Sequence, residues 1–213
     1  MRVVMIGPPG SGKGTQAKLL REKFRVCHVS TGDILREADA AGTPLGVQAR
    51  NHMSHGLLVP DAVVIGIVDE RLAQPDCATG FVLDGFPRTV PQAEALDATL
   101  AGRGQEITTA VSLAVPRAEL LRRLSGRRVC RSCGTLFHVA FDPPKTDGVC
   151  TRCGGELFQR DDDREESVAR RLEVYERETA PVLGHYKAKG VLRAVDGTGS
   201  RDDVFARVVG SVQ

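Results

Sequence analysis

Tryptophan is absent and tyrosine occurs twice, so aromatic side chains make up only 4% of the 213-residue chain. Proteins that grip single-stranded nucleic acid stack bases on aromatic faces, and few are on offer here. An excess of one charge is missing too: 29 Lys and Arg stand against 27 Asp and Glu, a net of +2. No global field draws in a polyanion or an anionic membrane, so any basic function must be local. No run comes near the roughly 20 apolar residues that cross a bilayer. Met1-Arg2 leads into an apolar run without the layout of a signal peptide. The expectation is a cytoplasmic protein with no membrane and no nucleic-acid partner. At 41% hydrophobic and 26% charged residues the composition is that of a globular protein. The length suits one substantial core with small insertions rather than two large domains.

The run Val3-Val4-Met5-Ile6 passes into Gly7-Pro8-Pro9-Gly10-Ser11-Gly12-Lys13-Gly14-Thr15, which predicts a strand entering a phosphate-binding loop. The spacing is G-x-x-x-x-G-K-[ST] with the hydroxyl one place late, since Gly14 holds its usual position and Thr15 follows. Glycines let backbone N–H groups and the positive end of the next helix converge on one anion, and Lys13 reaches the outer phosphates.

Ala17, Leu20 and Phe24 share one face of the helix that follows. Val26 to Val29 reads as a second strand, and Ser30 with Asp33 as a capping box. Residues 30–59 look like a small helical insertion, too polar for core. Val64, Ile67, Val68 and Leu72 mark another helix, Gly80 to Leu83 a buried strand, and Asp84-Gly85-Phe86-Pro87-Arg88 its polar exit. Further on come a helix over 91–101, a strand over 110–115, a helix opened by Pro116 with Arg123 and Arg127 toward its end, and a long helix that Pro181 should kink or split. Asp163 with Glu166 reads as its capping box. A strand over 191–195 and a last helix close the chain. Five strands alternating with helices predict an α/β fold, a parallel five-stranded sheet with helices on both faces and right-handed crossovers.

Residues 127–163 break this pattern, with prolines, glycines and too few apolar side chains for a core of their own. Cys130-x-x-Cys133 and Cys150-x-x-Cys153, sixteen residues apart, have zinc-knuckle spacing. Four thiolates leave no open coordination position, so the zinc is expected to be structural. The other two cysteines, Cys27 and Cys77, read as inert buried thiols rather than a disulfide.

The phosphate loop, Ser30-Thr31-Gly32-Asp33, Asp84 to Arg88 and the arginine-rich cysteine insertion, taken in order, resemble adenylate kinase in its long, zinc-lidded form. The likeness covers essentially the whole chain, and the family's loop has glycine where Gly14 stands. The resemblance implies a phosphate-loop core at 1–29, 60–126 and 164–213, an AMP-binding insertion at 30–59 and a lid at 127–163. It implies ATP contacts at Gly10, Ser11, Gly12, Lys13, Gly14, Thr15, Arg127, Leu136, Phe137 and Gly199. AMP contacts fall on Thr31, Arg36, Leu57, Leu58, Val59, Gly85, Phe86, Pro87, Arg88 and Gln92, with Arg160 and Arg171 clamping phosphate. Lys13, Arg88, Arg123, Arg160 and Arg171 are expected to carry catalysis, with Asp84 holding magnesium through water. Asp162 and Asp163 match an acidic pair that accompanies lid closure. The implied reaction is Mg-dependent, reversible phosphoryl transfer from ATP to AMP giving two ADP, in a monomer. Two rival readings stay open at this point: a kinase for another nucleoside monophosphate, and a zinc-ribbon binder of nucleic acid.

Overall fold

Alternate residues of one short strand face opposite ways, and this decides the layering. In the computed structural model, which describes residues 1–213, β1 (Arg2–Ile6) sends Val4 and Ile6 into one hydrophobic cluster and Val3 and Met5 into another. It is the middle strand of a five-stranded sheet in the order β2-β3-β1-β4-β8, every pairing parallel. The other members are β2 (Cys27–Ser30), β3 (Phe81–Asp84), β4 (Thr109–Ala114) and β8 (Leu192–Asp196).

Helices α1 (Lys13–Phe24) and α9 (Arg201–Val212) cover one face, where Ala17, Leu20, Val204 and Val208 meet Val82, Val111 and Leu113. The larger cluster lies on the other face under α4 (Asp61–Leu72), α5 (Val90–Ala101) and α8 (Pro181–Ala188). Helices α2 (Thr31–Ala40) and α3 (Pro44–Met53) form the insertion after β2. It is not wholly outside the core, because Leu35, Ala49 and Val59 are buried in the same cluster.

After α6 (Arg117–Ser125) the chain leaves the sheet as β5 (Arg127–Cys130), β6 (Leu136–His138) and β7 (Leu157–Phe158), a small antiparallel sheet in the order β6-β5-β7. The sequence showed no strands there, and Arg127 opens β5 instead of ending α6. It returns through a 3-10 turn, Asp161–Asp163, into α7 (Glu165–Val174). A π-helical turn, Tyr175–Thr179, separates α7 from α8, so Pro181 does divide the long helix.

Two local expectations fail. Asp163 caps nothing: the residue before α7 is Arg164, with no side-chain cap, and Asp163 is drawn instead to Arg127 and Arg171. Cys27 and Cys77 are not free thiols but a disulfide, with sulfurs 2.17 Å apart. Strand β2 and the 3-10 turn Pro75–Cys77 bring their Cα atoms to 4.9 Å inside the core, a proximity across 50 residues that spacing alone does not disclose.

Candidate functional site

The register of the sheet levels three strand ends. Asp84 pairs with Met5 on one side and with Ser30 on the other, so the exits of β1, β2 and β3 open at one height, where parallel sheets bind ligands. From β1 comes the loop Gly7 to Gly12. Gly10, at φ +82°, packs so closely on α6 that a Cβ would stand 2.9 Å from Leu124 Cγ. Helix α1 starts after Gly12 with no side-chain cap and no acidic residue in its first turn, leaving its amide N–H groups to face an anion. Lys13 arches over the loop and donates from Nζ to the carbonyls of Gly7 and Pro8 at 2.6 and 3.0 Å. Burial lowers its pKa to about 8, against the pull of Asp84 and with the repulsion of Arg88, Arg171 and Arg127. The Gly14 position is explained by the same carboxylate, for a Cβ there would lie 2.9 Å from Asp84 Oδ2.

Arginines ring the loop. Arg88 donates from Nε to the Gly85 carbonyl at 2.8 Å, which Thr31 also engages through Oγ1 at 2.9 Å. Arg36 pairs with Asp33 at 2.5 Å, and Arg123 with Glu119 at 3.0 Å. Arg127 grips Asp163 by both prongs of its guanidinium, and Arg171 reaches Asp163 at 3.1 Å and Asp162 at 3.2 Å. Burial, with the repulsion of Arg36 and Arg127, lowers Arg160 to about 10. Burial would raise Asp162, but Arg171, Arg127 and Arg160 outweigh it and the net shift is downward.

All of these arginines line one cleft of about 630 Å³, together with Gly10, Gly12 to Thr15, Asp84, Leu136 and Phe137. So dense a patch of positive charge, half desolvated beside open backbone amides, is suited to holding several phosphates at once. Next to it, Thr31, Leu57, Leu58, Val59, Gly85 and Gln92 line a smaller, more apolar pocket.

The four lid cysteines converge. Their sulfurs lie within 4.8 Å of one another, with Cys130 to Cys153 at 3.5 Å and Cys133 to Cys150 at 3.6 Å. Sulfurs at the corners of a tetrahedron about 2.3 Å from its centre would be about 3.8 Å apart, so the set fits a zinc ion. The only apolar companions are Phe137 and Leu157, in a cluster of four that counts Cys130 and Cys150.

A family model described as adenylate kinase matches residues 5–191. Proteins named adenylate kinase from Syntrophobacter fumaroxidans, Geobacter sulfurreducens and Carboxydothermus hydrogenoformans are 56%, 55% and 53% identical to the chain. The alignments span 98%, 100% and 100% of this chain and 98%, 98% and 100% of those proteins. The chain belongs to the adenylate kinase family. It transfers a phosphoryl group between ATP and AMP to give two ADP, and adenylate kinases use magnesium with ATP.

Most residues that the sequence singled out as adenylate kinase contacts meet at the cleft or the pocket beside it. Three do not. Phe86 is 1% exposed and belongs to the main core, lining neither the cleft nor the pocket. Ser11 is buried, with its hydroxyl unpartnered. Gly199, at φ +98°, lies in the turn after β8, against Arg207 and Asp203. Lys18, Glu22, Asp33, Arg152 and Arg201 also line the cleft and were missed. For Lys18 and Glu22 the signal was present, since helical spacing from Thr15 sets them on the same face of α1. Arg164 and Arg170 are exposed and lie outside the cleft.

Proposed function

We propose that the adenylate kinase reaction is divided over this cleft as follows. ATP lies with its phosphates on Gly10, Ser11, Gly12, Lys13, Gly14 and Thr15, under Arg127, Leu136 and Phe137, with Gly199 near its base. AMP lies in the pocket of Thr31, Leu57, Leu58, Val59 and Gln92, with its phosphate toward Arg36, Arg88, Arg160 and Arg171 and against the backbone of Gly85, Phe86 and Pro87. The observation that carries this is the convergence of Lys13 with Arg36, Arg88, Arg123, Arg127, Arg160 and Arg171 on one cleft beside the smaller pocket.

No side-chain nucleophile is needed. An oxygen of the acceptor phosphate attacks the terminal phosphorus of ATP, and the bond to the bridging oxygen of ADP breaks. Lys13, Arg123, Arg160 and Arg171 hold the two anions in line and offset charge as it shifts toward the leaving group, while Arg88 aims the acceptor. Asp84, beside Gly14, is placed to hold magnesium through water. When bound, the ion would supply positive charge to offset that of the phosphates.

In this reading residues 1–29, 60–126 and 164–213 are the core, 30–59 bind AMP, and 127–163 are a lid ordered by a structural zinc on the four cysteines. The protein works in the cytoplasm as a monomer, without nucleic-acid or membrane partners. No helix is long and apolar enough to cross a membrane. Steady-state kinetics test the division. Arg88→Ala raises the Michaelis constant for AMP about tenfold or more with little change for ATP, and Arg127→Ala does the reverse. Equal effects of both variants on both nucleotides would show the partition to be wrong.

A further inference from the structure

The residue that opens α4 reaches across to the start of α5. Asp61 accepts from Gln92 Nε2 through Oδ1 at 2.7 Å and from Thr89 Oγ1 through Oδ2 at 2.8 Å. The other end of the same amide is also taken, because Gln92 Oε1 accepts from the Arg88 backbone N–H at 2.7 Å. Gln92 is 1% exposed and lines the smaller pocket.

These partners leave the amide one orientation. A carboxylate only accepts and a backbone N–H only donates, so a glutamine between them satisfies both with Nε2 toward Asp61 and Oε1 toward Arg88. Turned over, it would set oxygen against oxygen and N–H against N–H in a buried site. We propose that Asp61 is a positioning residue which fixes the polarity of the Gln92 amide and thereby selects a 6-amino over a 6-oxo purine monophosphate. The proposal rests on the assignment above of Gln92 to the acceptor base.

The chemistry of the two bases gives the lock its consequence. A 6-aminopurine presents a donor at position 6 and an acceptor at N1, and a 6-oxopurine presents the reverse. An amide held at both ends shows the pocket one fixed pattern, with the second lone pair of Oε1 and the second hydrogen of Nε2. An amide free to turn serves either base. Asparagine at position 61 keeps the size of the group but both donates and accepts, so position 61 no longer opposes the turned amide and the Arg88 N–H is left as the single restraint.

The test compares AMP with inosine monophosphate, which differs at position 6 and in the N1 proton. In Asp61→Asn the preference for AMP, as a ratio of kcat/KM, falls about tenfold or more. The loss enters through KM for AMP, and KM for ATP stays put. Asp61→Ser, whose hydroxyl also donates and accepts, shows the same fall where the asparagine variant melts too low to assay. Asp61→Glu, still acceptor-only, keeps most of the preference. Thr89→Val cuts the other strut between α4 and α5 and lowers the melting temperature without touching the preference. A preference unchanged in Asp61→Asn overturns the proposal. Should Gln92→Leu abolish the preference in that case, the acceptor-site assignment stands and Asp61 alone is wrong. If Gln92→Leu leaves it intact as well, both fall.

Discussion

At Lys13 the cost of burial works against the need for charge. Its pKa of about 8 puts the loss of that charge just above neutrality. In the protein without nucleotide, the ammonium deprotonates as pH rises through about 8, and the phosphate site loses its one lysine in the loop. Affinity for ATP, measured by titration calorimetry, is therefore expected to weaken between about pH 7.5 and 9, and a flat profile would contradict the assignment. The linkage to stability has the opposite sense. Between about 8 and the ordinary 10.5 the unfolded chain holds a proton that the native one has lost, so this group makes stability rise with pH there. Lys13→Ala should lower turnover by about a hundredfold or more with an unchanged circular dichroism spectrum. Gly14→Ala makes a separate prediction at this scale: the new methyl meets Asp84 Oδ2 at 2.9 Å, displaces it and raises the magnesium needed for half-maximal rate. An unaltered magnesium dependence would remove Asp84 from the ion's site.

At the scale of elements, the lid is tied back by charge. Asp163 has a fully buried side chain, and it shares Arg127 of β5 and Arg171 of α7. Removing one member of such a buried set strands the others, at about 3–5 kcal/mol. Asp163→Asn should cost stability of that order in chemical denaturation, where a surface pair would cost under about 1 kcal/mol. A second tie runs from the His138 ring to the Arg122 carbonyl at 3.1 Å, joining β6 to the end of α6. Zinc removal by chelation under denaturing conditions and refolding should disorder residues 130–153 and lower the melting temperature, with the phosphate loop still binding nucleotide. Elemental analysis showing no zinc, or an equally stable metal-free protein, would contradict this. These elements also mark where sequence reasoning ran short. Lid strands of two to four residues carry no period to detect, because the cysteine cluster rather than an apolar face orders them. The Asp163 to Glu166 spacing imitates a capping box, but two neighbouring arginines offer a buried carboxylate more than a helix terminus does. The Cys27–Cys77 bond depends on tertiary proximity alone.

Across the whole molecule, the parallel sheet was legible because its strands are short apolar runs and its helices carry one-sided periodicity, each requiring the other for burial. The arginines at the cleft were legible as a set through the family likeness, since no local pattern tells a clamping arginine from a solvated one. Asp61 was not legible, as its partners lie 28 and 31 residues away. This architecture passes a phosphoryl group from ATP to AMP. The most direct measurement is the initial rate of ADP formation by the purified protein with Mg-ATP and, in turn, AMP, UMP, CMP and GMP. Two ADP per AMP consumed are expected, with AMP used faster than the other three. Faster phosphorylation of any of them, or no ADP from ATP and AMP, would contradict it.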